Sequence, residues 1–257
     1  MKKILCIDIG NTSIDTGIYG FGKISKRLKF SHKQMNRFLT YTGKLFRNKE
    51  ADSVSICSVV PAATRGLLRE LKKNCDKTYV VRPEKLKTIK INSSYRKNVG
   101  ADRVANAAAV SKFCKVPALV IDFGTAITFD VIKEPFHYDG SVIFPGLRVS
   151  KDALVSSAAL LGPFDFCRAK SVICKSTPEA MCSGLYFGIL ELVDGIRLRI
   201  EKELKVKFKT VVGTGGDAGI FAKEKIFSVI NEDLTLMGTA LLMLREEQRK
   251  KLLQRHR

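Results

Sequence analysis

Short runs of β-branched and other apolar residues alternate along the chain with longer stretches that have helical spacing. The short runs predict strands at Ile4–Ile9, Ser13–Tyr19, Ser53–Val59, Thr78–Val81, Ala118–Asp122, Ala126–Val131 and Thr210–Val212. Apolar residues three and four positions apart predict helices at Ala62–Asn74, Asp102–Cys114, Pro178–Glu203 and Thr235–Leu253. Alternation of this kind is typical of α/β architecture.

A pattern of strand, Asp-x-Gly-Asn/Thr turn and strand occurs twice. The first copy is centred on Asp8–Thr12 and the second on Asp122–Thr125. The repeat predicts two similar α/β halves facing a central cleft, residues 1–116 and 117–257, with the boundary near Pro117. In this division the C-terminal helix, about residues 235–257, could pack back on the first half.

Both turns have the chemistry of a phosphate-binding loop. Glycine lets backbone N–H groups approach an anion closely, and Asn or Thr adds a side-chain donor. The aspartates, Asp8 and Asp122, would be repelled by phosphate, but each can hold a cation, or a cation-bound water, that bridges to it. Turns commonly use these residue types, so one copy alone is weak evidence. Two copies, each flanked by apolar strands, predict a nucleotide site.

A glycine-rich segment, Gly213–Ala218, follows the predicted strand at Thr210–Val212. It matches the G-x-G-x-x-A dinucleotide fingerprint, but such a motif usually opens a Rossmann domain, and here it lies near the end of the chain. We interpret it as a strand-to-helix turn in which Gly215 and Gly216 make room for the adenine or ribose of a nucleotide. The alternative is a simple tight turn.

Two helix starts allow two interpretations each. Asp102 precedes an alanine-rich helix, so it is either an ordinary helix cap or a general base kept ionised by the helix dipole. Ser176 and Thr177 precede Pro178, and their hydroxyls either cap the following helix or face a ligand. Residue chemistry alone does not separate these alternatives.

Composition narrows the protein class. The chain has 257 residues, of which 45% are hydrophobic, and no apolar run approaches the length of a membrane helix. The net charge of +20 arises in residues 22–50, 65–97 and 241–257. This basic surface has no accompanying nucleic-acid motif, so we expect neither a specific nucleic-acid partner nor a membrane partner. Seven cysteines without a C-x-x-C pair fit reduced thiols in the cytoplasm.

Taken together, the motifs closely resemble those of the type III pantothenate kinases, in the actin/sugar-kinase/Hsp70 ATPase superfamily. The matching segments occur in the family's order: Asp8–Thr12, Gly100–Asn106, Ile121–Ala126, Ser141–Leu147, Thr214–Gly216 and Asp233–Gly238. The combination of Gly-Ala-Asp-Arg with Asp-x-Gly-Thr-Ala is specific, whereas Asp-x-Gly-Asn-Thr alone is not.

The resemblance implies phosphorylation of pantothenate by ATP in a cytoplasmic homodimer built from two ribonuclease-H-like domains. Magnesium would screen the phosphates, and Asp122 would ligate potassium or ammonium. Asp102 would be the catalytic base, with Gly100, Ala101, Arg103 and Thr177 holding pantothenate and Thr125 contacting ATP. The first phosphate loop would comprise Asp8, Ile9, Gly10, Asn11, Thr12, Ser13, Ile14 and Asp15.

The chain departs from the family pattern at two places. Ser93 and Arg96 occupy the positions of a tyrosine and a proline, and Tyr95 could take the tyrosine's role if the loop is rearranged. Asp15 lies where the family often has a basic residue. Two other functions therefore stay open: a kinase-like regulatory binding protein without turnover, and a kinase for another small hydroxy-acid.

Overall fold

The computed structural model describes residues 2–92, 95–157 and 160–255. Two compact units divide the chain. The first contains the described residues of 1–114, 132–140 and 233–257, and the second contains those of 115–131 and 141–232.

Twelve strands and six α-helices make up the described chain. The strands are β1 (Ile4–Ile9), β2 (Ser13–Gly20), β3 (Lys23–Ser31), β4 (Ser53–Ser58), β5 (Thr78–Val80), β6 (Lys90–Ile91), β7 (Ala118–Phe123), β8 (Ala126–Ile132), β9 (His137–Tyr138), β10 (Gly140–Pro145), β11 (Thr210–Thr214) and β12 (Val229–Ile230). The helices are α1 (Met35–Arg47), α2 (Pro61–Lys72), α3 (Ala101–Phe113), α4 (Leu147–Ser157), α5 (Thr177–Leu204) and α6 (Leu234–Arg255).

The two large sheets have the same topology, which confirms the predicted mixed α/β fold with two similar halves. The first sheet has the order β3-β2-β1-β4-β5, and the second has the order β10-β8-β7-β11-β12. In the first, β1 pairs antiparallel with β2 and parallel with β4. In the second, β7 pairs parallel with β11. Each repeat therefore begins with the central strand of its own sheet.

The two faces of β1 pack against different parts of the first unit, because side chains alternate along a strand. Leu5, Ile7 and Ile9 enter a core that also contains Phe38 of α1 and Leu67 of α2. The residues between them, Cys6 and Asp8, lie on the opposite face. On that face α6 packs against β1 and β4.

Helices α3 and α6 pack together unusually closely at Gly238. A Cβ atom on Gly238 would overlap the backbone carbonyl of Ala105 in α3. Backbone cannot move aside as the end of a flexible side chain can, so only glycine fits at this crossing. The glycine thus sets how α6 lies along the helix that carries Asp102.

We expect Gly238→Ala to lower the free energy of unfolding by about 1–3 kcal/mol, because the added methyl group overpacks a rigid contact. Gly66→Ala in α2 is the matched control, since nothing lies within 4 Å of the position its Cβ would occupy. That control should be as stable as wild type or more stable, because alanine is the better helix former. Urea unfolding measures both, and equal stability of the two variants would contradict the packing argument.

In the second unit, α5 lies against the sheet through its buried residues. Tyr186, Ile189 and Val193 belong to one core with Phe123 and Phe129 of the sheet. Ile189 and Val193 belong to the apolar stripe whose helical spacing predicts this helix from the sequence: Leu185, Ile189, Leu192, Val193 and Ile196. Leu185, another member, packs instead against a smaller cluster that contains Phe164 and Met181.

The predicted helices and strands all occur, with ends that shift by three residues or fewer. Four longer elements were not predicted: β3, β10, α1 and α4. Strand β3 has mostly exposed and charged side chains, because it lies at the edge of its sheet, and its composition gives no strand pattern. No helix in the described ranges combines the length and the apolar character that crossing a bilayer requires.

Candidate active site

In the first unit, a row of polar side chains crosses the sheet near the carboxyl end of β1. Asp8 lies opposite Asp15 of β2 and opposite Cys57 of β4. Asp15 in turn lies opposite Lys29 of β3. The paired positions share one face of the sheet, so two carboxylates of like charge lie side by side.

Basic side chains of the edge strand β3 neutralise the charge of Asp15. Lys29 and Arg27 place their side-chain nitrogens 3.5 Å and 3.7 Å from its carboxylate. Ser13 donates a hydrogen bond to the same carboxylate at 3.2 Å. Two basic side chains of β3 therefore hold Asp15. The sequence analysis had assigned these basic residues only to a general basic surface.

The turn after β1 is fixed through its backbone. The Gly10 N–H donates to the carbonyl of Ser13 at 3.0 Å. The ring nitrogen Nε2 of His32 lies 2.8 Å from the Gly10 carbonyl, which makes this nitrogen the donor. Asn11 and Thr12 at the tip of the turn are exposed. The loop from Asp8 to Asp15 thus presents polar side chains on a rigid turn, as a phosphate-binding loop requires.

Asp102 lies in the first turn of α3, with Gly100 as the N-cap residue. Asp102 is therefore not the cap of this helix, although its carboxylate accepts a hydrogen bond from the N–H of Arg103 at 2.8 Å. The positive end of the helix dipole favours the ionised carboxylate at this position.

Cys57 connects Asp102 with Asp8. The Cys57 thiol is completely buried, and its burial raises its pKa well above the usual value, with both carboxylates raising it further. Cys57 therefore lies opposite Asp8, and the charges of both Asp8 and Asp102 act on its thiol. Sequence analysis did not identify Cys57. Only the parallel pairing of β1 with β4 places it opposite Asp8.

Arg103 is buried between aromatic residues. Its Nη1 atom donates to the hydroxyl of Tyr95 at 3.0 Å, and its guanidinium carbon lies 5.9 Å and 5.8 Å from the ring centroids of Tyr95 and Tyr138. The two rings stack with their centroids 5.9 Å apart. Tyr138 of β9 is a second residue that the sequence analysis did not identify.

The loop before α3 is held by Arg96. Its guanidinium donates to the carbonyls of Leu86 at 2.7 Å and Ile91 at 3.3 Å. The N–H groups of Asn98 and Val99 both bond to the carbonyl of Tyr95. Arg96 thus closes the loop that places Tyr95 beside Arg103. Ser93, which aligns with the family's tyrosine, lies outside the described residues.

In the second unit, Asp122 and Gly215 lie next to each other at the ends of paired strands. Asp122 is opposite Thr214 in the parallel pair of β7 and β11. Gly215 has a φ of +88°, and a Cβ atom there would collide with the carboxylate of Asp122 and the backbone of Phe123. Glycine is required at this position for both reasons. Gly216 follows it in the turn.

The second Asp-x-Gly-Thr turn is also closed by backbone hydrogen bonds. The Gly124 N–H donates to the carbonyl of Ala126 at 3.1 Å, and the Gly146 N–H donates to that of Thr125 at 3.0 Å. Gly146 directly precedes α4, and a Cβ atom on it would overlap the backbone of Gly124 and Thr125. Thr125 is thereby fixed close to Asp122.

Thr177 lies apart from this group within the second unit, as the first residue of α5. It lines a cavity of about 660 Å³ together with Leu154, Met181 and Leu185. Ser176 is the N-cap residue, but its side chain makes no capping hydrogen bond. The capping interpretation of the Ser176 hydroxyl is therefore wrong, and both residues line the cavity.

No group of three His, Cys, Asp or Glu side chains within the described ranges is arranged to hold a metal ion by itself. A cation at either turn would therefore depend on one or two carboxylates together with backbone or nucleotide oxygens. This fits the way in which Mg²⁺ binds in many phosphate-transfer sites, through one or two carboxylates and the phosphates of the substrate.

Comparison with known proteins gives a family match. A family model described as type III pantothenate kinase matches residues 4–199. The type III pantothenate kinase of Citrifermentans bemidjiense is 35% identical and covers 95% of this chain and 100% of its own. Among solved structures, a Campylobacter jejuni protein described as a Baf family transcriptional activator has a TM-score of 0.61 at 19% identity, with 95% and 99% coverage. The polyphosphate/ATP-glucomannokinase of Arthrobacter sp. strain KM has a TM-score of 0.51 at 15% identity, with 96% and 100% coverage.

Proposed function

This chain belongs to the type III pantothenate kinase family, and on that premise we propose that it transfers the terminal phosphoryl group of ATP to the primary hydroxyl of pantothenate. The product is 4′-phosphopantothenate, and the reaction is the first step of coenzyme A biosynthesis. The observation that carries the proposal is the placement of two carboxylates in the first unit, Asp102 in the first turn of α3 and Asp8 near the carboxyl end of β1.

Asp102 is the proposed general base. Phosphoryl transfer requires the acceptor hydroxyl to lose its proton and to lie in line with the phosphate, so a positioned carboxylate is the main chemical group that the protein must supply. The helix dipole of α3 keeps that carboxylate ionised and ready to accept the proton.

Residues around Asp102 are proposed to hold pantothenate. Gly100 and Ala101 present backbone groups at the start of α3, and Arg103 fixes the Tyr95 hydroxyl at 3.0 Å. We propose that Tyr95 takes the place of the family's tyrosine. Arg96, at the position of the family's proline, supports the loop by bonding to Leu86 and Ile91.

The nucleotide is proposed to bind through the two turns and the glycine-rich segment. The residues from Asp8 to Asp15 supply backbone N–H groups and hydroxyls for phosphate, while Thr125, Gly215 and Gly216 contact ATP in the second unit. Mg²⁺ neutralises phosphate charge when it is bound, and Asp8 is the carboxylate placed to hold its water ligands. Asp122 is the proposed ligand of K⁺ or NH₄⁺. We place the reaction in the cytoplasm, where thiols remain reduced.

A homodimer is proposed on the basis of exposed apolar residues in the second unit. Ile173 is 89% exposed and Val172 is 68% exposed, just before α5, and Ile143 is 59% exposed. Large apolar side chains that are exposed in one chain become buried when they form a protein interface. In such a dimer, Thr177 would contact pantothenate close to the subunit interface.

The test is release of ADP in a coupled assay with pantothenate, with and without potassium. ADP release that depends on pantothenate and yields a phosphorylated product by mass spectrometry supports the proposal. Nucleotide binding without turnover would indicate a regulatory binding protein, and turnover only with another compound from a panel of hydroxy-acids would indicate a different kinase. Either of these results would overturn the assignment.

Thr177→Val tests the pantothenate contact. The variant keeps the side-chain shape and removes the hydroxyl, so we expect the KM for pantothenate to rise roughly threefold to tenfold, the effect of one hydrogen bond. The kcat and the melting temperature should stay near wild type, because no capping bond is lost. Ser176→Ala removes the neighbouring hydroxyl and should also leave the melting temperature near wild type, because that hydroxyl makes no capping bond. A lower melting temperature with unchanged KM in Thr177→Val would leave Thr177 with a structural role only.

A further inference from the structure

Two cysteines of the second unit lie against each other as free thiols. Cys167 belongs to the segment before α5, and Cys182 lies in the second turn of that helix. Their Sγ atoms are 3.4 Å apart. An S–S bond is about 2.05 Å long, so the two sulfur atoms need to approach by only about 1.4 Å to form one.

Hydrogen bonds hold the segment around Cys167 on α5. The Cys167 N–H donates to the Sγ atom of Cys182 at 3.4 Å, and the Cys182 thiol donates to the Cys167 carbonyl at 3.0 Å. Beside Cys167, the Arg168 side chain donates to the Tyr186 hydroxyl of α5 at 3.2 Å and pairs with Glu224 at 3.1 Å. The two thiols are therefore kept in contact by their surroundings, which gives them a high effective concentration toward each other.

The same segment is attached to α5 a second time. The buried Ser183 hydroxyl, next to Cys182, donates to the carbonyls of Ser171 and Val172 at 3.0 Å and 2.6 Å. Cys167 and the residues that follow it thus have a fixed place along the first turns of the helix.

The two cysteines differ in their access to solvent. Cys167 is exposed, whereas Cys182 is only 5% exposed and packs with Phe164 and Met181. Cysteines that sense oxidants are accessible and lie next to a second cysteine that resolves the oxidised form. Disulfides of cytoplasmic proteins are mostly transient and of this redox-sensing kind. Cys167 has the position of the first to react, and Cys182 that of the resolving thiol.

We propose that Cys167 and Cys182 are a thiol modification site, which a hydroperoxide converts to an intramolecular disulfide. The Cys167 sulfur attacks the O–O bond of the peroxide, which gives the sulfenic acid of Cys167 and, from hydrogen peroxide, one molecule of water. The Cys182 sulfur then displaces hydroxide from that sulfenic acid, and the Cys182 thiol proton leaves with the hydroxide as a second water. Two thiols are thereby oxidised by two electrons, and the peroxide is reduced by two.

The disulfide would close a ring of residues 167–182, which contains Thr177 and other residues that line the cavity at the start of α5. Closing a ring restricts the unfolded chain and so stabilises the folded one. Because the sulfur atoms are already in contact, the wall of the cavity should keep its arrangement. The bond would also protect Cys167 from irreversible oxidation to the sulfinic and sulfonic acids.

Tryptic peptide mapping tests the modification directly. Cleavage after Lys and Arg places the three cysteines of this region in separate peptides: Cys167 in 152–168, Cys174 in 171–175 and Cys182 in 176–197. The purified full chain is treated with hydrogen peroxide, its remaining thiols are alkylated after unfolding, and the digest is analysed by mass spectrometry without reduction. We expect peptides 152–168 and 176–197 to be joined with the loss of two hydrogen atoms, and dithiothreitol to separate them.

Three variants separate the two roles. In Cys182→Ala the resolving thiol is missing, so Cys167 should gain two or three oxygen atoms at peroxide concentrations that give the disulfide in wild type. In Cys167→Ser, which changes an exposed side chain, Cys182 should be recovered in alkylated form. Cys174→Ser is the matched control, because Cys174 lies in the same segment and its thiol contacts the Ser171 carbonyl at 3.5 Å. It should form the same disulfide to the same extent as wild type.

Several results would overturn the proposal. These are the absence of the joined peptides in oxidised wild type, a disulfide from Cys174 to either other cysteine, and a covalent dimer on a nonreducing gel in place of the internal bond. The melting temperature should rise on oxidation of wild type and not of Cys167→Ser, and a fall in wild type would contradict an undisturbed cavity wall. The measurements follow sulfur chemistry without any substrate, so their outcome is independent of the proposed kinase activity.

Discussion

Asp102→Asn is expected to bind ATP and pantothenate much as the wild-type protein does and to transfer the phosphoryl group about 10²–10⁴-fold more slowly. The amide is nearly the same size as the carboxylate, and its oxygen can still accept the hydrogen bond that Asp102 receives from the N–H of Arg103 at 2.8 Å. It cannot accept a proton from the substrate hydroxyl. The loss should therefore fall on kcat, with both KM values little changed.

The position of Asp102 indicates that the substitution should affect catalysis much more than folding. The residue lies in the first turn of α3, where the positive end of the helix dipole favours its charge. Removing its charge loses a favourable interaction with the helix dipole that is typically worth about 0.3–1 kcal/mol, so the melting temperature should fall only slightly. The fold should otherwise tolerate the amide, which is nearly the same size as the carboxylate.

Asp76→Asn is the control for the change in charge. Asp76 is an exposed carboxylate of the same unit, and it precedes β5, at the amino end of a strand that runs parallel to β4. The site lies at the opposite, carboxyl end of these strands. Steady-state kinetics at saturating substrates compares the two variants, and an Asp102→Asn protein with near wild-type kcat would refute the assignment of the base.

Much of the fold could be predicted from the sequence, because in the central strands the local pattern of apolar residues agrees with the tertiary structure. Strand β1 has the same ends in the prediction and in the structure, Ile4–Ile9, because it is a buried central strand with a turn motif directly after it. The repeat of that motif at Asp122 predicted the second sheet. A central parallel strand is apolar on nearly every position, and such a run is easy to recognise.

Edge elements could not be predicted in the same way. In β3 most side chains are exposed, and Lys23, Lys26 and Lys29 give the segment the composition of a basic loop. Its strand conformation follows from pairing with β2, which is a non-local interaction. The charge of this segment could be counted from the sequence, but its contact with Asp15 depends on that pairing.

The residues of the candidate site also fall into two groups: those that could be predicted from a local motif and those that could not. Asp8, Asp102 and Asp122 belong to local motifs and could be named from the sequence. Cys57 and Tyr138 could not, because each becomes part of the site through a strand that comes from elsewhere in the chain. Cys57 is opposite Asp8 only once β4 pairs with β1, and Tyr138 reaches Arg103 from β9. Such residues carry no motif of their own.

The residues at Asp122 supply the kinds of oxygen donor that the proposed potassium or ammonium ion would need. The carboxylate of Asp122 lies at the end of β7 beside Gly215, where any side chain would collide with it. The carbonyl oxygens of the Gly124–Thr125 turn belong to the same loop. Carboxylate and carbonyl oxygens are the donors that hard cations take, and such a cation would reduce the repulsion between Asp122 and a nearby phosphate.

Asp122→Ala is expected to abolish activation by potassium and to leave a low activity that does not respond to the ion. The substitution removes the one carboxylate of this turn, and Asp122 is only partly buried, so the melting temperature should change little. Asp165→Ala, which removes an exposed carboxylate of the same unit, is the control and should keep the wild-type activation curve. The measurement is initial rate against potassium concentration at constant ionic strength, with the large cation tetramethylammonium as the replacement ion. An activation curve in Asp122→Ala with the wild-type midpoint and amplitude would exclude Asp122 as the ligand, because a site that has lost a charged donor cannot keep its affinity for the ion.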